Sequence, residues 1–232
     1  MKKVETLDWA AIGAALDERG YAVAGPLLSA RECTALIARY GDETLFRSRV
    51  VMARHGYGRG EYKYFAYPLP APIAALRQSL YPPLAEIANR WHEAMGLKQR
   101  FPENHAAYIA RCRKAGQTRP TPLLLRYETG DYNCLHQDLY GEHVFPLQLT
   151  ILLSDPAKDF TGGEFVLTEQ RPRMQSRVEV VRLGRGEAAI FPVRHRPITG
   201  KRGAYRVTMR HGVSRLNNGL RFTAGIIFHD AK

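Results

Sequence analysis

The chain has 232 residues, 45% of them hydrophobic and 24% charged, and its 34 lysines and arginines outnumber 22 acidic residues for a formal charge of +12. That length buries a full core as one compact unit, and the balance of apolar and charged residues excludes a disordered or fibrous protein. No apolar run reaches the ~18 residues of a membrane-spanning helix, and the start MKKVETLDW lacks the apolar centre of a secretory signal. Cys33, Cys112 and Cys134 are too scattered for a zinc site or a disulfide set, so a cytoplasmic protein with reduced thiols and no membrane is expected.

Leu7 to Glu18 carries apolar residues at helical spacing, and Gly20 and Pro26 end that helix. Tyr21 to Val23 reads as a short strand. Ser29 with Glu32 forms a capping box for a helix reaching about Tyr40. Leu45 to Tyr67 reads as an irregular β-hairpin, rich in arginine and tyrosine. Its Gly56-Tyr57-Gly58-Arg59-Gly60 is a turn and not a phosphate loop, because the glycine spacing is wrong and no helix follows promptly. The hairpin is also a candidate lid whose arginines and tyrosines touch phosphate and base. Ile73 to Leu80 and Pro83 to Met95 read as two separate helices. A shorter helix runs from Glu103 to Cys112.

From Pro122 the apolar period becomes that of strands. Eight are read: Pro122–Tyr127, Tyr132–Asp138, Val144–Ser154, Glu164–Glu169, Val178–Leu183, Ala188–Pro192, Tyr205–Met209 and Arg221–His229. Each is bounded by Gly, Pro, Asp or Asn, and no helix intervenes, which argues for an antiparallel sandwich or barrel. The expected fold class is therefore α+β, mainly β. A helical and lid region over 1–118 packs on a β core over 119–232.

The second of these strands ends in His136-Gln137-Asp138. In a strand, residues i and i+2 share a face and lie about 6.5–7 Å apart, so an imidazole and a carboxylate here can converge on one ion. They supply two thirds of the 2-His-1-carboxylate face that holds non-haem Fe(II). His211 is the candidate third ligand, and Arg221 follows ten residues later.

The pattern His136-x-Asp138, Gly162-Gly163-Glu164-Phe165, Gly186 with Phe191, His211-Gly212-Val213 and Gly219-x-Arg221 resembles the 2-oxoglutarate/Fe(II) oxygenases, across roughly Thr121 to Asp230. A lone H-x-D arises by chance, whereas this ordered set is specific. The resemblance implies a double-stranded β-helix, or jelly roll, with the helices packed on one sheet. It implies Fe(II), 2-oxoglutarate and O2 as cofactor and co-substrates. Arg221 would grip the far carboxylate of 2-oxoglutarate in a bidentate pair, with Tyr127 and Thr223 beside it.

Two branches of the family fit. Arg126-Tyr127-x-x-Gly130 followed by Leu135-His136-Gln137-Asp138 is similar to the AlkB-type demethylases of alkylated nucleic acid. Arg126 and Tyr140 are then substrate-side candidates. Leu125, Tyr140 and Ile227 depart from that branch, which has an asparagine, an aspartate and a second arginine there. The Gly-Gly-Glu-Phe strand and the ten-residue gap resemble prolyl-hydroxylase-type members, which hydroxylate protein, and a small-molecule substrate stays open as well. A non-catalytic binding module is a third reading, but such proteins usually lose a ligand.

Charge distribution bears on the partner. No acidic residue occurs from Ala188 to His229, a stretch holding Arg194, Arg196, Lys201, Arg202, Arg206, Arg210, Arg215 and Arg221. A basic rim of this kind attracts DNA, RNA or a small anion. His143 and His195 are read as rim residues and His229 as structural, while His55 and His105 carry no signal.

Overall fold

The computed structural model describes residues 2–200 and 203–232. The first half carries the helices: α1 (Lys2–Glu5), α2 (Trp9–Arg19), α3 (Ala30–Ala38), α4 (Ala71–Ala94) and α5 (His105–Lys114). The starts of α2, α3 and α5 follow from side-chain caps, which satisfy backbone N–H groups that a helix leaves unpaired. Asp8 Oδ1 accepts from Ala11 N at 2.9 Å, and Asn104 Oδ1 accepts from Ala107 N at 2.9 Å. Ser29 and Glu32 form the expected capping box.

One expectation fails in this region. Pro82 and Pro83 lie inside α4, which runs unbroken through both. An interior proline costs about 3 kcal/mol. Ile73, Leu76, Leu80, Leu84, Ile87 and Trp91 are nevertheless buried as one continuous stripe along the helix. At about 1.5–3 kcal/mol per buried side chain, that stripe outweighs the two missing hydrogen bonds.

Apart from short 3-10 helices, the remaining elements are strands, all paired antiparallel. The larger sheet has the order β1-β11-β7-β14-β5-β4-β2, formed by Ala22–Ala24, Ala188–Pro192, Leu147–Leu152, Leu216–Ile227, Leu123–Glu128, Glu61–Phe65 and Phe46–Val51 respectively, with β8 (Phe160–Gly162) paired to the start of β14. The smaller sheet has the order β10-β9-β13-β6-β3, formed by Arg177–Val181, Phe165–Gln170, Gly203–Val213, Tyr132–His136 and Gly58–Arg59, with β12 (His195–Gly200) paired to β13. Together they make a jelly roll. The hairpin of β2 and β4 extends the larger sheet, and β3 at its tip joins the smaller one.

The strands expected from sequence are present, with longer, shorter or shifted ends. The last strand begins at Leu216, so Arg221 sits in its interior and not at its start. His136 closes β6, and Asp138 lies in the loop just beyond. The additional strands β3, β8 and β12 are short, carry Gly or Pro, and show no apolar alternation to reveal them.

Alternation on β7 and β14 decides what lies on each side of the larger sheet. Leu147, Leu149, Ile151, Phe222, Ala224, Ile226 and Phe228 join Leu80, Leu84, Trp91 and Tyr108 of the helices in the principal core. The helices therefore cover the outer face, as expected. The opposite face of the same strands turns toward the smaller sheet and lines the central cavity.

Candidate metal centre

His136 and His211 are directly opposite in the β6–β13 ladder, which brings their rings to a centroid separation of 4.1 Å. Gly212 makes this approach feasible, since a Cβ there would meet the Asn133 carbonyl oxygen at 2.7 Å. Asp138 reaches back from the following loop. Its Oδ2 lies 3.3 Å from His211 Nε2 and its Oδ1 lies 3.6 Å from His136 Nε2. One donor atom from each of the three residues falls within 4.8 Å of the other two. Three donors on one side of a point leave the remaining positions open, as an oxygenase iron needs.

The local hydrogen bonds suit metal binding. His136 Nδ1 donates to the Cys134 carbonyl at 2.8 Å, which leaves the Nε2 lone pair facing the other donors. Burial and the neighbouring His211 lower the His136 pKa, favouring the neutral ring. Burial alone would raise Asp138, but the His211 hydrogen bond and the two imidazoles outweigh it and hold the carboxyl well below the usual range. Tyr140 Oη donates to Asp138 Oδ1 at 2.7 Å, and Tyr64 Oη donates in turn to Tyr140 Oη at 2.9 Å. A substrate-side candidate from sequence, Tyr140 thus lies in the cavity wall and also steadies the carboxylate. The loop between Asp138 and β7 is pinned by Gln117, whose amide donates to the Tyr140 and His143 carbonyls at 3.2 and 3.1 Å.

These side chains line a cavity of about 440 Å³ between the sheets, a size typical of small-molecule sites. Arg221, Tyr127 and Thr223 line the same cavity. Arg221 is 3% exposed, and its Nε and Nη1 have no hydrogen-bond partner. Burial lowers its pKa to about 10, so it remains a cation. A buried cation with orphaned donors is costly unless an anion comes to it. Gly163 leaves room for it, since a Cβ there would press on Arg221 Cδ at 3.1 Å and on Leu216 at 2.5 Å. Tyr127 is fully buried, its hydroxyl accepts from Asn133 Nδ2 at 3.2 Å, and burial pushes its pKa up to about 12.

Arg126 is not part of this cavity. Strand alternation turns it to the opposite side of β5 from Leu125 and Tyr127, where it pairs with Glu61 and Glu128. The basic stretch also divides. Arg196 is fully buried and bound to Glu169, whereas Arg194, Arg206, Arg210 and Arg215 are exposed. Lys201 and Arg202 lie outside the described residues. His195 opens β12, His229 is buried with Nδ1 accepting from Phe145 N at 3.2 Å, and His55 stacks on Tyr57 at the hairpin tip.

Sequence reading missed Gln148. It is 2% exposed, lines the cavity, and both its Oε1 and its Nε2 lack partners. The signal was there: a lone amide within the otherwise buried strand Leu-Gln-Leu-Thr-Ile-Leu. Tyr57 and Tyr62 of the hairpin, with Leu135 and Leu139, complete the cavity wall.

A family model described as "Oxygenase, catalysing oxidative methylation of damaged DNA" matches residues 60–231. The uncharacterized protein Rv2227 of Mycobacterium tuberculosis is 44% identical over 201 residues, covering 87% of this chain and 81% of that one. Among solved structures, a Trichoplax adhaerens prolyl hydroxylase in complex with a hypoxia inducible factor peptide aligns over 99% of this chain and 91% of its own, with TM-score 0.58 and 13% identity. A Pseudomonas putida prolyl-4-hydroxylase aligns over 97% of this chain and 99% of its own, with TM-score 0.54 and 14% identity. An oxidoreductase of the 2OG-Fe(II) oxygenase family from Burkholderia pseudomallei aligns over 97% and 93%, with TM-score 0.55 and 14% identity. At such identities the structural likeness is one of fold. Donor set, orphaned arginine, jelly roll and family match agree, and the chain belongs to the oxygenase family so described, with a site whose three donors and buried arginine fit Fe(II) and 2-oxoglutarate.

Proposed function

We propose that this enzyme removes N-alkyl groups from damaged nucleic acid by hydroxylating the carbon attached to nitrogen. In this reading His136, Asp138 and His211 hold the iron. Arg221 grips the far carboxylate of 2-oxoglutarate, and Tyr127 and Thr223 line its path. The observation that carries the reading is the family match over residues 60–231, joined to an anion-seeking arginine buried in the same cavity as the three donors. When bound, iron and co-substrate supply the oxidising step, in which 2-oxoglutarate becomes succinate and CO2 and one oxygen atom enters a substrate C–H bond. The hydroxylated N-methyl group then leaves as formaldehyde.

The chain's own residues orient and enclose. Tyr140 fixes one oxygen of Asp138, so the other points at the ion. Leu123, Leu125 and Phe191 give the cavity apolar walls that exclude water. Half-exposed Tyr57 and the neighbouring Tyr62 offer aromatic faces for an extruded base. Exposed Arg54, Arg59, Arg210 and Arg215 give the surface positive charge for phosphates.

A second reading, hydroxylation of a protein, is favoured by the Gly-Gly-Glu-Phe strand and the ten-residue spacing from His211 to Arg221. One experiment separates the two. Succinate formation is followed with Fe(II), 2-oxoglutarate and O2, using methylated single-stranded oligonucleotides against a peptide library. Oligonucleotide-dependent succinate with stoichiometric formaldehyde is expected. Stimulation by peptide alone would overturn the nucleic-acid reading.

A further inference from the structure

The larger sheet presents its cavity-facing residues in rows, fixed by register. Arg221 lies opposite Tyr127, and Thr223 lies between Leu125 and Leu152. Gly225 lies between Leu123 and Thr150, and Ile227 lies opposite Gln148, which itself lies opposite Phe191. Six residues of β14 separate the Arg221 row from the Gln148 row, or about 20 Å of strand. The row of Gln148 is the one beside the metal donors. Phe191 packs on the His211 ring at 4.8 Å between centroids, and Ile227 packs with Tyr140, which holds Asp138.

A five-carbon dicarboxylate spans only about 5–6 Å, from four bonds of ~1.5 Å. Gripped by Arg221 and chelating the ion, it fills the cavity on the arginine side of the donors. Gln148 lines the same cavity beyond that, in the row of Phe191 and Ile227, where a second reactant has to approach.

A carboxamide offers two donors and an acceptor in one plane. Buried without partners, it forfeits about 1–3 kcal/mol, a loss that folding alone would not select. The neighbouring phenols are satisfied, Tyr140 by Asp138 and Tyr64, and Tyr64 by Tyr140, whereas His211 Nδ1 shares with Gln148 the lack of a partner. The only ligands that match such a group in a plane are those with a donor beside an acceptor, as on the edge of a nucleobase, where glutamine makes its paired contacts.

We propose that Gln148 reads the polar edge of the planar heterocycle brought to the iron, and so sets which alkylated base is accepted. This inference rests on the nucleic-acid reading given above. Aromatic faces at the mouth hold the ring by stacking, and the amide at the floor fixes its rotation, so that the alkyl carbon meets the ion.

The test compares the wild-type enzyme with Gln148→Leu and the near-isosteric Gln148→Met. Oligonucleotides carrying one N-methylated adenine, cytosine or thymine are bound to the Mn(II)- and 2-oxoglutarate-loaded proteins and read by fluorescence anisotropy. Turnover is measured in parallel on the Fe(II) enzyme. Both variants should bind Mn(II) and 2-oxoglutarate within twofold of wild type and bind unmethylated oligonucleotide equally. They should lose affinity and kcat/KM roughly 10- to 100-fold for the base that wild type prefers. The thermal midpoint of the metal-free variants should match or exceed that of wild type, since an orphaned polar group has been removed. Unchanged discrimination between methylated bases would overturn this inference alone. So would a loss of 2-oxoglutarate affinity matching the loss of turnover, since it would put Gln148 in the co-substrate site. A wild-type enzyme that turns over none of the oligonucleotides would overturn the underlying reading as well.

Discussion

Arg221 is the residue whose energetics say most about the site. Its guanidinium is buried and orphaned, and burial has lowered its pKa, so the metal-free protein carries an unpaired charge in its interior. Replacing it by methionine should remove that penalty and raise the thermal midpoint of the metal-free protein. The same change should raise the KM for 2-oxoglutarate about 10- to 100-fold, the equivalent of a charge-assisted hydrogen bond of ~1.5–3 kcal/mol. 2-Oxoglutarate should stabilise the wild-type protein by linkage and leave the variant unmoved. Equal KM values would remove Arg221 from the co-substrate site. The residues legible in the sequence were those whose meaning is local. His136 and Asp138 announce themselves by a two-residue spacing, and Arg221 by its distance from His211. Tyr140 was legible as a cavity residue, but its bond to Asp138 depends on how the loop of residues 137–146 folds back. Arg126 misled because a motif names neighbours without saying which side of a strand each one faces.

At the scale of elements, the helix α4 is joined to the residues just after the last strand by a buried ion pair. Arg77 Nη2 lies 2.8 Å from Asp230 Oδ1, with both side chains inaccessible, and Arg77 Nε donates to the Ile227 carbonyl at 2.8 Å. Tyr67 donates to the same aspartate. The strand that carries Arg221, Thr223 and Ile227 is therefore held at its far end by the helical layer. Arg77→Leu strands the Asp230 carboxylate in the interior and should cost about 3–5 kcal/mol in urea unfolding. Arg77→Leu combined with Asp230→Leu should recover much of that loss, because replacing both partners removes the unpaired charge. A double variant no more stable than the single one would show that the backbone bonds of Arg77, and not its charge, secure the strand. None of this could be read from the chain, since Arg77 and Asp230 are far apart in sequence and each looks like a surface residue. Capping boxes and strand alternation were readable because they are short-range. Pro82 and Pro83 were misread because a local helix-breaking rule met a long buried stripe.

For the molecule as a whole, the net charge of +12 conceals histidines that fold in the neutral state. Burial lowers His229 to a pKa of about 3, with Arg77 adding to the effect, and lowers His105 to about 4, again with Arg77 adding. His92 and His195 move in the same direction, chiefly through burial. In the unfolded chain each imidazole takes a proton near pH 6.5. Below that value the unfolded state binds more protons than the folded one, so stability falls as pH falls. The contribution is fully present above about pH 6.5 and is lost between there and about pH 4 for His105, or about pH 3 for His229. Each histidine adds a slope approaching ~1.4 kcal/mol per pH unit. The depressed carboxylates Glu61, Glu169 and Asp138 come into play only at lower pH. Urea unfolding of the metal-free enzyme between pH 7.5 and 4.5 should therefore show a steep loss of stability well above the range where carboxylates titrate. His105→Gln keeps a donor for the Phe228 carbonyl, and His229→Asn keeps an acceptor for the Phe145 amide, so both variants preserve the observed contacts. Together they should flatten the curve between pH 6.5 and 4.5 by about half or more. An unaltered slope in the double variant would mean that the acid sensitivity of the fold lies in His92, His195 or the metal donors and not in His105 and His229.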